Sequence, residues 1–164
     1  MSQNNKLELV DPHVAPPVWA ALRNQAEITA RAEPALASLV DAVILRHDSL
    51  TEALCYQLAR KLGDEVLTSI SILDICEDAH KADPTLALKA EADIRAVFER
   101  DPASKSYLQP FLFFKGFNAL QSYRIANWLW KQERQTLALY LQNRASEMFQ
   151  VDIHPAATIG SGIF

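Results

Sequence analysis

The stretch SLTEALCYQLARKLG, residues 49–63, decides the fold class. Ser49 and Glu52 make a capping box. The Ser49 hydroxyl takes an orphan backbone N–H of the first turn, and the Glu52 carboxylate reaches back to the cap. Behind it Leu50, Leu54, Leu58 and Leu62 recur every four residues, which puts them on one face of an α-helix. Gly63 stops the run, as glycine does at helix C-termini. Start signal, period and stop signal agree on a helix.

The same grammar extends in both directions. Residues 1–15 read as a loose polar arm, and Pro16 and Pro17 open a helix carrying Val18, Trp19, Leu22, Ala26 and Ala30. Pro34 begins a second helix at its favoured first position, with Leu36, Leu39, Val40, Val43 and Ile44 as the buried stripe. Downstream, a helix is expected from about Asp64 to Ala82, burying Val66, Leu67, Ile70, Leu73 and Ile75. Asp83-Pro84 starts another that runs to about Arg100 on Leu86, Ala90, Ile94 and Val97. Asp101-Pro102 breaks the chain, and residues 103–110 read as a polar loop ending in Pro110. A long amphipathic segment follows from Phe111 to Lys131, then a helix from Glu133 to Gln150 with Leu137, Leu141, Ala145 and Met148 on one side. Seven or eight helical segments therefore precede residue 151, and the expectation for 16–150 is an all-α domain of antiparallel helix pairs.

Composition narrows the function classes. Apolar residues make up 49% and charged residues 22% of 164, as in an ordinary globular domain. The net charge of −4 argues against nucleic acid as the main partner. Cys55 and Cys76 lie inside apolar helical patterns and read as buried reduced thiols; their spacing fits no zinc motif. Met1 to Val10 has no apolar core of a signal peptide, and no stretch has the eighteen or so apolar residues of a membrane span. A cytoplasmic location without membrane contact is the expectation.

At Val151 the period changes. Ile153 and Ile159 are six residues apart, and each opens a hexad, IHPAAT and then IGSGIF. An aliphatic residue every six positions, with small residues around it, is the pattern of a parallel β-helix; the alternative reading is a C-terminal tail that merely contains Pro and Gly. Two hexads supply two-thirds of a coil, which cannot bury its core without neighbouring coils. Residues 151–164 are therefore expected to be the start of a larger solenoid, pinned to a neighbour if ordered at all.

Single residues allow bland readings. Asp101 before Pro102 reads as a helix N-cap. Asp152 and His154 share a face if extended, but two ligands do not make a metal site, so no metal is expected. His154 beside Pro155 reads as structural, with a role as an active-site neighbour as the alternative; His47 and His80 sit near helix C-termini, where the helix dipole favours cations. His13 falls in the arm. Phe111, Phe113, Phe114, Phe117, Trp128 and Trp130 are core or subunit interface.

Several motifs carry a family resemblance. The runs KGFNALQSYR (115–124) and Trp128-Leu129-Trp130, VDIHPAA (151–157), Arg100-Asp101-Pro102-Ala103 and EPALAS (33–38) resemble serine O-acetyltransferases in order and spacing, across about residues 16–164. Histidines are expected in many relatives where this chain has Asn118 and Asn127.

The resemblance implies a left-handed β-helix after the helical domain. It implies acetyl transfer from acetyl-CoA, a co-substrate and not a tightly bound cofactor, to L-serine in cysteine synthesis, with L-cysteine competing for the serine site. It implies a dimer of trimers and a C-terminal tail that docks O-acetylserine sulfhydrylase. The general base is a histidine of an Asp-His motif beyond the Gly-x-Gly-Ile segment. Its orienting carboxylate maps to Asp152, while Asp101 holds the substrate serine and Pro102 lines its pocket. The 164 residues contain no Asp-His pair, so the chain alone is expected to be inactive. A stand-alone α-helical scaffold without chemistry is the alternative expectation.

Overall fold

The computed structural model describes residues 17–164, which fold into eight α-helices. The expected arm at 1–15, with His13, lies outside the described residues.

Helix α1 spans Val18–Ala32 and buries Val18, Leu22 and Ala26. The expected single helix after Pro34 has three parts. A 3₁₀ turn over Pro34–Leu36 leads into α2, Ala37–Val40, and a wide π turn over Asp41–Leu45. Proline lacks the N–H that a regular first turn leaves unpaired, which suits a tight start. The widened turn then carries Val43 and Ile44 to full burial beside Val40.

Helix α3 covers Leu50–Leu62, with Ser49 Oγ accepting from the Glu52 N–H at 3.2 Å. The Glu52 carboxylate reaches one residue further back than expected, to the Asp48 N–H at 3.0 Å. Gly63 ends the helix as expected, at φ −63° and so not in the left-handed region. It is glycine because a Cβ there would come within 2.5–2.7 Å of Ser69.

Helix α4 runs Ser69–Ala82, five residues later than the pattern suggests. Asp64 Oδ1 accepts from the Val66 and Leu67 amides at 2.8 and 2.7 Å, and Thr68 caps Ser71. Side-chain oxygens that satisfy the backbone locally compete with helix formation. The later start moves the buried face to Ile72, Cys76, Ala79 and His80, leaving Val66 at 88% and Ile70 at 72% exposure.

Helix α5, Thr85–Arg100, buries Leu86, Ala90, Ile94 and Val97 as expected. Asp83 Oδ1 accepts from the Thr85 N–H and hydroxyl. The loop expected at 103–110 is shorter, because Leu108–Phe113 forms α6. Pro110 sits in its first turn, where a missing N–H breaks no helical bond. Phe114, at ψ 116°, then separates α6 from α7, Lys115–Lys131.

Helix α7 is the axis of the domain, buried on every side from Phe117 to Ala126. It packs mainly on α8, Gln135–Phe149, as α3 packs on α4, and it also touches α3, α4, α5 and α6. In α8 the buried face is Ala138, Leu141, Ala145 and Phe149; Leu137 is half-buried and Met148 exposed. Residues 151–164 form no strand. They run as an irregular chain across the domain, with a turn at Pro155–Ala156. Among the described residues no helix is long and apolar enough to cross a membrane.

Candidate functional site

The segment 151–164 is fastened to α5 and α7 by side chains that bond its backbone. Asn127 Nδ2 donates to the carbonyls of Pro155 and Ala157 at 2.7 and 3.2 Å. The Tyr123 hydroxyl also donates to the Ala157 carbonyl, and Arg124 Nη2 donates to Gly160 O at 2.8 Å. Arg100 Nη1 donates to Gly162 O at 3.0 Å, and the Ile163 N–H donates to Asp93 Oδ1 at 3.1 Å. Burial pushes the Tyr123 phenol up from its ordinary value, which keeps it a hydroxyl donor.

Both hexad leaders face the same way. Ile153 and Ile159, with Ile163, line an apolar recess of about 340 Å³ against Val97, Phe117 and Leu120. The inward aliphatic positions read from the six-residue spacing therefore converge on one surface. A second cavity, of about 330 Å³, lies on the polar side, lined by Lys89, Tyr123, Arg124, Asn127, Lys131 and Thr158 among others.

Asp101 follows the last turn of α5, half-buried, and makes an Asx turn: Oδ1 accepts from the Ala103 N–H at 2.8 Å. Pro102 is exposed, and its carbonyl accepts from Lys105 Nζ at 2.8 Å. Asp152 is exposed, and Gln142 Nε2 holds its Oδ1 at 2.6 Å. His154 stands edge-on to Trp130 with centroids 5.0 Å apart, and its Nδ1 accepts from the Ala156 N–H at 3.1 Å. That bond leaves the ring proton on Nε2 and gives His154 a turn-forming role. Asp101 reaches the tail through its neighbour Arg100 (Asp101 itself bonds within its own loop).

The pair at the centre of this arrangement was not singled out by sequence. Asp93, fully buried, takes Arg124 Nε and Nη2 on Oδ2 at 2.8 and 2.6 Å, with Gln121 Nε2 on the same oxygen at 2.9 Å. The signal was present: Asp93 sits three residues after Ala90 and four before Val97, in phase with the buried stripe of α5.

Away from the tail, His80 is buried on the α3–α4 contact. Its Nδ1 lies 2.8 Å from the Cys76 carbonyl and 3.5 Å from Cys55 Sγ. A nitrogen facing a carbonyl at that distance carries a proton, so it donates towards the sulfur too. The Cys55 thiol is held down to about 6, first by a hydrogen bond from Cys76 and then by His80, against the opposing effect of burial.

Comparison with known proteins follows this geometry. The profile of the family "Serine acetyltransferase, N-terminal" matches residues 18–122. The serine acetyltransferase of Escherichia coli strain K12 is 49% identical over 146 residues, covering 89% of this chain and 54% of that protein. The serine acetyltransferase of Brucella abortus solved with coenzyme A has a TM-score of 0.88 at 40% identity, over 92% of this chain and 60% of that one. That of Neisseria gonorrhoeae solved with serine has a TM-score of 0.85 at 44% identity, over 88% and 60%. The chain thus spans about half the length of the curated relatives it matches. A profile covering well over half of these residues, with relatives of this identity, means that the chain belongs to the serine acetyltransferase family and carries its N-terminal helical region.

Proposed function

We propose that this chain is the helical assembly part of a serine O-acetyltransferase. In this reading residues 16–150 are the oligomerisation domain, and residues 151–164 begin a left-handed β-helix. The observation that carries it is the seating of the tail: Ile153 and Ile159 line one apolar recess, and six side-chain-to-backbone bonds from α5 and α7 hold residues 155–163.

The reaction transfers the acetyl group of acetyl-CoA to the L-serine hydroxyl. A histidine base takes the hydroxyl proton, the oxygen attacks the thioester carbonyl, and the CoA thiol leaves. Asp152 is the carboxylate that orients this base; Gln142 fixes one of its oxygens and leaves the other for a ring N–H. Asp101 holds the serine ammonium, with Pro102 beside it. The 164 residues contain no Asp-His pair, so the base comes from sequence outside them. L-cysteine, which differs from serine by sulfur for oxygen, competes at the same place. The dimer of trimers is the proposed assembly, the cytoplasm the proposed location, and docking of O-acetylserine sulfhydrylase belongs to segments beyond these residues.

The test compares the 164-residue chain with the enzyme that carries this domain, following CoA thiol release with acetyl-CoA and L-serine. The enzyme turns over and the chain does not. Turnover by the chain alone would overturn the proposed division of the site. Failure of both would favour a helical scaffold without chemistry.

A further inference from the structure

We propose that Asp93 and Arg124 are positioning residues: a buried ion pair that sets the place of residues 160–163 against the end of α5, and so against Asp101. This rests on the acetyltransferase reading, because only there does the relation between Asp101 and the tail matter for chemistry.

The side chains are 0% and 4% exposed, and a buried ion pair is weak ground for stability, since both charges lose their water. The question is what the remaining hydrogen-bond capacity does. Asp93 divides its oxygens. Oδ2 serves α7, through Arg124 and Gln121; Oδ1 accepts from the Ile163 N–H at 3.1 Å. Arg124 divides likewise, with Nη2 bonding both Asp93 and the Gly160 carbonyl. Each member spends part of its capacity on its partner and part on the tail. A pair built only to join α5 to α7 would have no use for Ile163.

The tail needs outside fixing at this point. Gly160 and Gly162 have no side chains to pack, and Gly162 stands at φ +70°. The third anchor is Arg100, adjacent to Asp101, on the Gly162 carbonyl. Two of these bonds, from Asp93 and Arg100, thus tie the segment to the helix whose end presents Asp101, and the remaining one, from Arg124, ties it to α7. In the proposed enzyme this segment leads towards the base, so the pair sets the distance across which serine and base must meet.

Amide hydrogen exchange on the 164-residue chain tests the clamp directly. Arg124→Lys keeps a buried positive charge but loses the planar fork. Asp93→Asn has one acceptor oxygen in place of two, so it cannot serve both α7 and the Ile163 N–H, and it decides the matter if Arg124→Lys does not fold. Exchange at Ile163 is expected to rise by about tenfold or more while α3 and α4 amides stay protected. Unchanged exchange at Ile163, or a rise in step with the whole domain, would overturn the clamp. In the enzyme carrying this domain, kcat is expected to fall by about tenfold or more, with KM for acetyl-CoA held within about twofold. A loosened tail with unchanged kcat would overturn the positioning role. A wild-type enzyme that does not acetylate serine would instead sink the acetyltransferase reading, while the exchange experiment still judged the clamp.

Discussion

Asn118 illustrates what a buried polar residue contributes. Its Nδ2 donates to the carbonyls of Phe111 and Phe114 at 3.3 and 2.9 Å, while Gln57 from α3 donates to Phe111 and Leu112. These amides complete the C-terminal carbonyls that a helix as short as α6 leaves unpaired. Replacing Asn118 by Leu removes one donor from each carbonyl, leaving Gln57 on Phe111 and the residue 118 N–H on Phe114, and is expected to cost about 1 kcal/mol, read from the urea midpoint at unchanged slope. The other chemically distinctive residue is Cys55. Its thiol is held down to about 6 by Cys76 and His80, so it is thiolate above that pH and thiol below it. Far-ultraviolet thiolate absorbance at neutral pH should vanish on acidification through about pH 6, and His80→Gln should move that titration upward. A thiol that stays protonated up to the ordinary cysteine range would contradict the geometry. Neither role was legible in the sequence. A buried amide and a thiol–imidazole contact depend on which helices meet, and the apolar period of one helix does not carry that information.

Among elements, those with a local stop or start were legible, and those set by competing side chains were not. Helix α3 begins and ends where Ser49 and Gly63 place it, and α5 buries the stripe read from its spacing. Helix α4 starts late because Asp64 and Thr68 satisfy the backbone ahead of it, a competition that apolar periodicity does not register. The segment from Phe111 breaks at Phe114 because tertiary amides from Gln57 and Asn118 complete α6 there. Two junctions give predictions. A Cβ at Gly63 would overlap Ser69 backbone at 2.6–2.7 Å, so Gly63→Ala should destabilise by about 1–3 kcal/mol. Gln150 ends α8 in the left-handed region at φ 60°, so Gln150→Gly should stabilise by about 1 kcal/mol. Thermal unfolding of both variants beside wild type checks the opposite signs, and equal shifts would refute the distinction between close approach and backbone strain.

For the whole molecule, the domain is a platform whose central helix, α7, faces core on one side and the tail on the other. Residues 151–164 leave the helical pattern without forming a strand, and Ile153 and Ile159, six residues apart, line one apolar recess. The family was legible through motifs alone. Among the described residues the Asp101 side chain bonds its own loop and that of Asp152 bonds Gln142, and their proposed partners lie outside this chain. We propose that Asp152, in the segment that follows the helical domain, is the carboxylate that orients the base of an acetyl transfer. The most direct measurement is kcat for CoA release from acetyl-CoA and L-serine by the enzyme carrying this domain, with Asp152→Asn beside wild type. Loss of the orienting charge should lower kcat by about 10²–10⁴-fold with the fold intact. An Asp152→Asn enzyme turning over serine at the wild-type rate would contradict the account.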